Sequence, residues 1–125
     1  MPSIAVIGAS ANRSKYGNKA VRAYHERGYT VYPIHPAQTE VEGLPVYKSV
    51  LDVTEPIDVA TFYVAPSVGL KVIEEVARKG IREVLLNPGA ESDELLQRAR
   101  ELGIEASVVC SILAVGRYPS EFEAD

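Results

Sequence analysis

The sequence predicts an α/β protein built on an open, mostly parallel sheet. Short apolar runs rich in β-branched residues alternate with helical patterns, and Gly, Pro or capping residues mark the joins. Strands separated by single helices imply right-handed crossovers and a parallel sheet covered on both faces. The length of 125 residues is the usual size of one domain. We therefore expect a single domain over residues 1–125.

Five apolar runs predict the main strands. They are Ser3–Ile7, Tyr29–Ile34, Ile57–Val64, Ile81–Leu86 and Glu105–Val109. The third run is rich in β-branched and aromatic residues and is too short for a helix. A further extended piece is expected at Gly43–Tyr47, and Ser49 is placed to cap one helical turn through Val53.

Three helices are expected between these strands, and each ends at a glycine. They run over Lys19–Arg27, from Pro66-Ser67 to Gly80, and from Ser92 to Gly103. The resulting architecture is Rossmann-like, an open parallel sheet of about five main strands with helices on both faces. Only the last residues, Ser120–Asp125, look dispensable for this fold.

Composition excludes several classes of function. The net charge of −4 and the pI of about 5.2 argue against a nucleic-acid surface. No apolar run approaches the length of a membrane span, and the N-terminus enters a strand without a leader pattern. Two scattered His and one Cys make no recognisable metal set. The single Cys110 suits a reducing compartment, so we expect a cytoplasmic protein.

The first strand-to-helix loop is predicted to hold a phosphate-bearing ligand. Open parallel sheets bind ligands at the carboxyl ends of their strands, where the strand order reverses, and the first loop usually lies there. The next helix presents its free N–H groups to an anion. The loop supplies small residues for close approach, a hydroxyl group and two cations, in the order Gly8-Ala9-Ser10-Ala11-Asn12-Arg13-Ser14-Lys15-Tyr16-Gly17.

This loop differs from the dinucleotide-binding fingerprint. It lacks the G-x-G-x-x-G spacing, and the second strand ends in Ile34-His35-Pro36 rather than in an acidic residue that would hold a ribose hydroxyl. NAD is therefore disfavoured. A ligand with an extra ribose phosphate is better matched, because Arg13 and Lys15 would neutralise it. From the residues alone, coenzyme A and NADP both remain open.

Several strings resemble the small bacterial and archaeal coenzyme A-binding domain proteins, which are related to the nucleotide-binding domain of the succinate–CoA ligase α subunit and of ADP-forming acyl-CoA synthetases. The strings are AVIGAS, Lys15 with Gly17, GYTVYPIHP, GLPVYKSVLDV and Pro56–Asp58, and the resemblance covers about residues 3–110. It implies coenzyme A phosphates surrounded by Gly8, Ala9, Ser10, Arg13, Lys15 and Gly17, with Tyr16 in the same loop. It also implies that the adenosine lies near Pro33, His35, Pro36, Val64, Ala65 and Pro66.

The resemblance implies a protein that binds coenzyme A or acyl-CoA without evident catalysis of its own, and no catalytic residue is assigned. One alternative is an NADP-binding oxidoreductase or redox sensor. Another is a nucleotide-binding partner subunit of an acyl-CoA synthetase-like complex. Small molecules are the expected ligands, neither nucleic acid nor membrane is expected as a partner, and a homo-oligomer stays open.

Cys110 has two interpretations. It follows the last strand, where it would face the ligand and form a mixed disulfide with the coenzyme's thiol. A lone Cys beside a β-branched run is more often a small buried hydrophobic residue, and we favour that interpretation.

Overall fold

A computed structural model of the chain describes residues 2–124. The strands are β1 Ser3–Ile7, β2 Thr30–Ile34, β3 Glu40–Val41, β4 Leu44–Pro45, β5 Val59–Phe62, β6 Glu83–Leu86 and β7 Glu105–Val108. The helices are α1 Tyr16–Glu26, α2 Pro66–Lys79, α3 Asp93–Glu101 and α4 Ser111–Ala114, with 3-10 turns at Val50–Asp52 and Pro119–Glu121. Every predicted main strand and helix is present, with ends shifted by a few residues.

Five strands form one parallel sheet in the order β2-β1-β5-β6-β7. The predicted fold class is therefore confirmed. The chain moves from β1 to β2 on one side and then crosses to β5 on the other side. This reversal leaves a crevice at the carboxyl ends of β1 and β5, where doubly wound sheets bind their ligands.

The sheet separates two apolar clusters, and β1 contributes to both because its side chains alternate between the faces. Ile4 and Val6 pack with α1, whereas Ala5 and Ile7 pack with α2 and α3. All five residues of β1 are buried. This strand is therefore the centre of the fold, and the loop that follows it starts from a rigid position.

A small hairpin, β3 and β4, projects beside the first strand-to-helix loop, residues 8–15, which we call the phosphate loop after its predicted ligand. Its turn consists of Glu42 and Gly43, with φ values of 52° and 78°. The chain then returns along β2, where Tyr47 forms a parallel bridge with Ile34. Ser49 accepts a hydrogen bond from the N–H of Leu51 at 3.1 Å, so the expected capped turn is confirmed.

Helix α1 begins at Tyr16, three residues before the predicted Lys19. Gly17 was assigned to the loop in the sequence-based prediction, but it lies in the first helical turn and is buried. The reason is steric: a Cβ at Gly17 would lie 2.3 Å from the carbonyl oxygen of Gly8. The glycine is thus needed for close packing of helix against loop, rather than for an irregular backbone.

The prediction that Ser120–Asp125 is dispensable is wrong for Phe122. This side chain is only 6% exposed and packs in the cluster around α1. The guanidinium groups of Arg117 and Arg22 lie over its ring, 4.6 Å and 5.5 Å from the centroid. The tail therefore closes one end of the core, a role that its polar composition concealed. Asp125 lies outside the described residues.

Candidate functional site

A cleft of about 530 Å³ opens at the carboxyl ends of β1, β2 and β5. It occupies the position that the topology predicts for a ligand. We call it the switch-point cleft. Six residues of the predicted site line it: Gly8, Ser10, Lys15, His35, Pro36 and Val64. The structure therefore brings the first loop, the end of β2 and the end of β5 together around one cavity.

Two glycines fix the backbone at the base of the cleft. Gly8 has φ of +90°, and a Cβ there would lie 2.7 Å from the carbonyl oxygen of Tyr63. The N–H of Gly8 donates to the carbonyl of Ile34 at 3.0 Å. Only glycine satisfies both the left-handed conformation and the contact with β5. Together with Gly17, it draws the start of α1 close to the ends of the strands.

The loop between these glycines is held by its own polar side chains. The hydroxyl of Ser10 accepts from the N–H of Asn12 at 3.0 Å, and the Asn12 side chain accepts from the N–H of Ser14 at 3.0 Å. Helix α1 has neither a side-chain cap nor an acidic residue in its first turn. The positive end of the helix is thus left for an external anion, beside the exposed Lys15.

His35 closes a tight turn at the rim of the cleft. Its Nδ1 atom accepts from the N–H groups of Ala37 at 3.0 Å and Gln38 at 3.1 Å. An Nδ1 that accepts two hydrogen bonds carries no proton, so the neutral imidazole carries its hydrogen on Nε2. The ring therefore acts here as an asparagine side chain would in a turn, and it retains a donor for a ligand.

The segment after the hairpin adds a second cation to the cleft. Tyr47 donates its N–H to the carbonyl of Pro33 and accepts from the N–H of His35, both at 3.0 Å. This pairing extends the edge of β2 and places Lys48 in the cleft wall. Glu75, also in the wall, accepts from the hydroxyl of Ser49 at 2.7 Å.

The other predicted residues occupy supporting positions. Ala9 and Pro33 are buried, Tyr16 is exposed at the start of α1, and Ala65 and Pro66 form the start of α2. Arg13 lies elsewhere. Its Nε is 3.3 Å from a carboxylate oxygen of Glu42, and it lines a separate cavity of about 440 Å³ outside α1, here called the outer groove.

Sequence reasoning missed part of the cleft wall, namely Ile7, Ile34, Gln38, Lys48, Val50, Tyr63, Val68, Val72 and Glu75. Most of these residues come from later elements that the fold brings to the first loop. Lys48 was present in the string GLPVYKSVLDV that supported the resemblance. Its place in the cleft follows from the bridge between Tyr47 and Ile34, which side-chain periodicity does not encode.

A second, smaller cavity of about 230 Å³ adjoins the first at Tyr63 and Val64. Asn87 lies in its wall, almost fully buried. Its amide nitrogen donates to the hydroxyl of Thr61 at 2.7 Å, and its amide oxygen accepts from the N–H of Ser111 at 2.8 Å. This network ties the ends of β5 and β6 to the start of α4 at the cavity wall.

Two tyrosines, the buried Tyr24 and the half-buried Tyr63, meet Ser111 beside this cavity. Tyr24 donates its hydroxyl to the Ser111 carbonyl at 2.8 Å, and the Tyr63 hydroxyl lies 2.7 Å from the Ser111 hydroxyl. Burial raises the pKa of both phenols well above the ordinary value. Cys110 is half-buried and packs against the cluster around α1, which agrees with its interpretation as a small hydrophobic residue.

Two structural features are absent from residues 2–124. No helix within this range has the length and apolar character to cross a bilayer. The same range holds no group of three or more His, Cys, Asp or Glu side chains arranged for a metal ion.

Comparison with protein families identifies the kind of domain that carries this cleft. A family model described as a CoA binding domain matches residues 2–116. The chain belongs to this family. The expected relationship to coenzyme A-binding domains is therefore confirmed, and the match includes every residue of the predicted site.

Curated relatives of this CoA-binding domain are parts of much longer enzymes. An ADP-forming acetate–CoA ligase of Methanocaldococcus jannaschii is 38% identical over 84 residues, which is 67% of this chain and 12% of that protein. The α subunit of an ADP-forming acetate–CoA ligase of Pyrococcus furiosus is 36% identical over 88 residues, which is 66% of this chain and 19% of that subunit. The chain thus spans less than a fifth of either relative.

Solved structures include both a small relative and a large one. A conserved hypothetical protein from Pyrococcus furiosus matches with a TM-score of 0.85 and 35% identity, covering 91% of this chain and 99% of that one. The acetyl-coenzyme A synthetase 1 of Ca. Korarchaeum cryptofilum matches with a TM-score of 0.76 and 32% identity, covering 86% of this chain and 25% of that one. The CoA-binding domain fold therefore occurs both in a chain of similar length and within a synthetase.

Proposed function

We propose that this CoA-binding domain binds coenzyme A, or an acyl-CoA, in the switch-point cleft. The observation that carries the proposal is the convergence of Lys15, Lys48 and the uncapped start of α1 on one cavity. Coenzyme A carries a pyrophosphate and a ribose phosphate, which need several positive groups in a confined space.

The two lysines are suited to these phosphates because neither is already paired. Among residues 2–124, no carboxylate lies within ion-pairing distance of Lys15 or Lys48. We assign the pyrophosphate to Lys15, the Ser10 hydroxyl and the N–H groups at the start of α1. Lys48 lines the same cleft from the segment after the hairpin, and we assign the ribose phosphate to it.

The adenosine fits the apolar side of the same cleft. Pro36, Val64, Val68 and Val72 provide a surface on which a base can lie. The imidazole of His35 offers its Nε2–H, and the carboxylate of Glu75 accepts hydrogen bonds from hydroxyl or amino groups. A site of this kind, mostly apolar with a few polar groups that fix orientation, is typical of cofactor pockets.

The second cavity offers a path for the thiol end of the ligand. It shares Tyr63 and Val64 with the switch-point cleft, so a ligand anchored by its phosphates can extend across the end of β5. No Ser, Thr, Cys, Lys or His is among the described residues that line it. We therefore propose binding without catalysis by this chain. A cytoplasmic location is part of the proposal, because coenzyme A is an intracellular metabolite and Cys110 is unpaired.

Thermal unfolding with separate ligands tests this function. Coenzyme A at a hundred times its dissociation constant should stabilise the fold by about 2.7 kcal/mol, which raises the midpoint by several degrees. The wild type should bind dephospho-CoA more weakly than coenzyme A. Lys48→Ala should bind the two ligands with equal affinity. A larger shift with NADPH would favour a redox protein, and no shift with coenzyme A, acetyl-CoA or NADPH would contradict the proposal.

A second candidate is a subunit that lends its coenzyme A site to a separate synthetase chain. The observation that favours it is the short span of the match, 12% and 19% of the two ligases compared above. The remaining reactions would then take place on partner chains. Purification of the tagged protein from its native cells, followed by mass spectrometry, should recover a stoichiometric partner. Recovery of this chain alone would contradict the subunit function and leave the binding function intact.

A further inference from the structure

The β3–β4 hairpin contacts the phosphate loop through the side chain of Glu42. Its carboxylate accepts from the amide nitrogen of Asn18 at 3.0 Å and lies 3.3 Å from Nε of Arg13. Asn18 is fully buried in the first turns of α1, whereas Arg13 lies within the loop itself. One carboxylate thus links the hairpin both to the loop and to the first turn of α1.

The same network forms hydrogen bonds to two backbone carbonyls of the loop. The amide of Asn18 also donates to the carbonyl of Ser10 at 2.9 Å. Arg22 donates to the side-chain oxygen of Asn18 at 2.8 Å and to the carbonyl of Arg13 at 2.9 Å. The carbonyls of Ser10 and Arg13 are therefore both fixed by side chains from α1, and Glu42 orients the asparagine that begins this chain of contacts.

The backbone of Glu42 indicates that this contact is maintained at a conformational cost. Glu42 has φ of 52°, and it is the only non-glycine residue with a positive φ in the range 2–124. Two-residue hairpin turns with positive φ values favour Asn, Asp or Gly at that position. None of those three residues has a side chain as long as that of glutamate, which reaches from the hairpin turn to Asn18 and Arg13.

We propose that Glu42 is a positioning residue that shapes the phosphate loop for coenzyme A, and that Arg13 acts through this network rather than on the ligand. The proposal rests on the function proposed above, but it makes a separate statement about the ligand-free chain. Without Glu42, the amide of Asn18 loses one of its two acceptors and Arg13 loses its contact with the Glu42 carboxylate. The loop from Ser10 to Lys15 should then open more often.

The decisive variant is Glu42→Gly. Glycine adopts a φ of 52° without strain, which offsets part of the cost of the two lost contacts, so thermal stability should change little. Hydrogen exchange at the amides of Asn12, Ser14 and Lys15, measured in the ligand-free protein, should be about tenfold faster. The affinity for coenzyme A should fall about tenfold, because the loop must be ordered when the ligand binds.

Glu40→Gln is the matched control. It removes the same charge from the same hairpin, and among residues 2–124 its side chain makes no hydrogen bond or ion pair. It should leave both exchange and affinity unchanged. Glu42→Gln should give intermediate values for both, since it retains the acceptor for Asn18 and loses the charge opposite Arg13. If Glu42→Gly does not fold, a comparison of Glu42→Gln with the wild type and with Glu40→Gln still tests the proposal.

Two results would overturn the proposal. Wild-type exchange rates in Glu42→Gly would show that the loop does not depend on the hairpin. Faster exchange with an unchanged coenzyme A affinity would show that the contact stabilises the loop without serving the site. If the wild type itself does not bind coenzyme A, the proposed function fails, whereas the exchange rates of the ligand-free variants still decide whether Glu42 holds the loop.

Discussion

The switch-point cleft and the outer groove have similar volumes, about 530 and 440 Å³. They differ in whether their charged side chains form ion pairs within the protein. In the groove, Arg117 pairs with Glu26 at 2.7 Å and with Glu121 at 3.0 Å. In the cleft, Lys15 and Lys48 have no carboxylate partner within residues 2–124. Arg117 of the groove is thus paired within the protein, whereas the two lysines of the cleft are not.

This difference bears on the predicted roles of the two cations in the first loop. The sequence presents Arg13 and Lys15 as two equal cations in one loop. The structure turns Arg13 towards Glu42 in the groove and leaves Lys15 in the cleft. A cation that already has a partner gains little from a phosphate, because it must first give up the interaction it has. Volume alone would not distinguish the two cavities.

The largest effect is expected where the backbone of the cleft is most crowded. Gly17→Ala would place a Cβ 2.3 Å from the carbonyl oxygen of Gly8, and neither backbone can move without changing the loop. We expect a loss of about 3 kcal/mol in the free energy of unfolding and loss of detectable coenzyme A binding. Urea unfolding and calorimetry measure the two effects.

Gly69→Ala is the control for this substitution. It also lies in the first turns of a helix, but its Cβ would meet the far end of the Leu95 side chain, at 3.0 Å. That end can rotate away, so the loss of stability should be much smaller. Equal losses in the two variants would show that the contact between Gly17 and Gly8 has no special role.

Phe122→Ala tests the opposite region, the floor of the outer groove. The ring is almost fully buried between Arg117 and Arg22, so truncation should cost about 3 kcal/mol. The affinity for coenzyme A at a temperature where the variant is folded should not change. Leu113→Ala, at a half-exposed side chain near the same end of the chain, should cost far less. An unchanged melting temperature in Phe122→Ala would mean that the tail is dispensable after all.

A pair of charge deletions compares the two cavities directly. Lys15→Ala should weaken coenzyme A binding about tenfold, equal to about 1.4 kcal/mol, and leave the melting temperature nearly unchanged. Arg117→Ala should lower the melting temperature and leave coenzyme A binding nearly unchanged, since its partners are the protein's own Glu26 and Glu121. Calorimetric titration and thermal unfolding of both variants are the measurements. A loss of affinity in Arg117→Ala as large as that in Lys15→Ala would remove the distinction between the cavities.

The smallest effect concerns pH. Burial raises the pKa of Tyr63 and Tyr24, so the folded protein keeps both phenol protons to a higher pH than the unfolded chain does. Their contribution to stability is therefore complete below about pH 10 and is lost as the pH rises further. Urea unfolding between pH 8 and 11 should show this decline. Tyr63→Phe should make the decline shallower, while Tyr118→Phe, at an exposed side chain, should not alter it.

The fold was predictable because its determinants are local. The five strands follow from short apolar runs, and the helices from capping and glycine positions such as Ser92 and Gly80. The hairpin strand Glu40–Val41 was missed because two residues carry no periodicity. Phe122 was missed because its surroundings in the chain are polar, although its contacts are with α1.

The candidate site was predictable only where it lies in consecutive residues. The loop from Gly8 to Gly17 and the turn at His35 could be placed because parallel strands end at the same edge of a sheet. The opposite wall, with Lys48 and Glu75, depends on how the hairpin segment and α2 return to that edge. Such pairing is set by tertiary packing, and the local patterns of a single sequence do not predict it.

The most direct test of the account is a titration of ¹⁵N-labelled protein with coenzyme A, followed by amide chemical shifts. We predict that the largest changes occur in residues 8–17, in 35–38, and at Lys48 and Val64, while amides of Arg117–Glu123 in the outer groove hardly move. Changes centred on the groove, or no changes at saturating coenzyme A, would contradict the assignment of the switch-point cleft as the coenzyme A site.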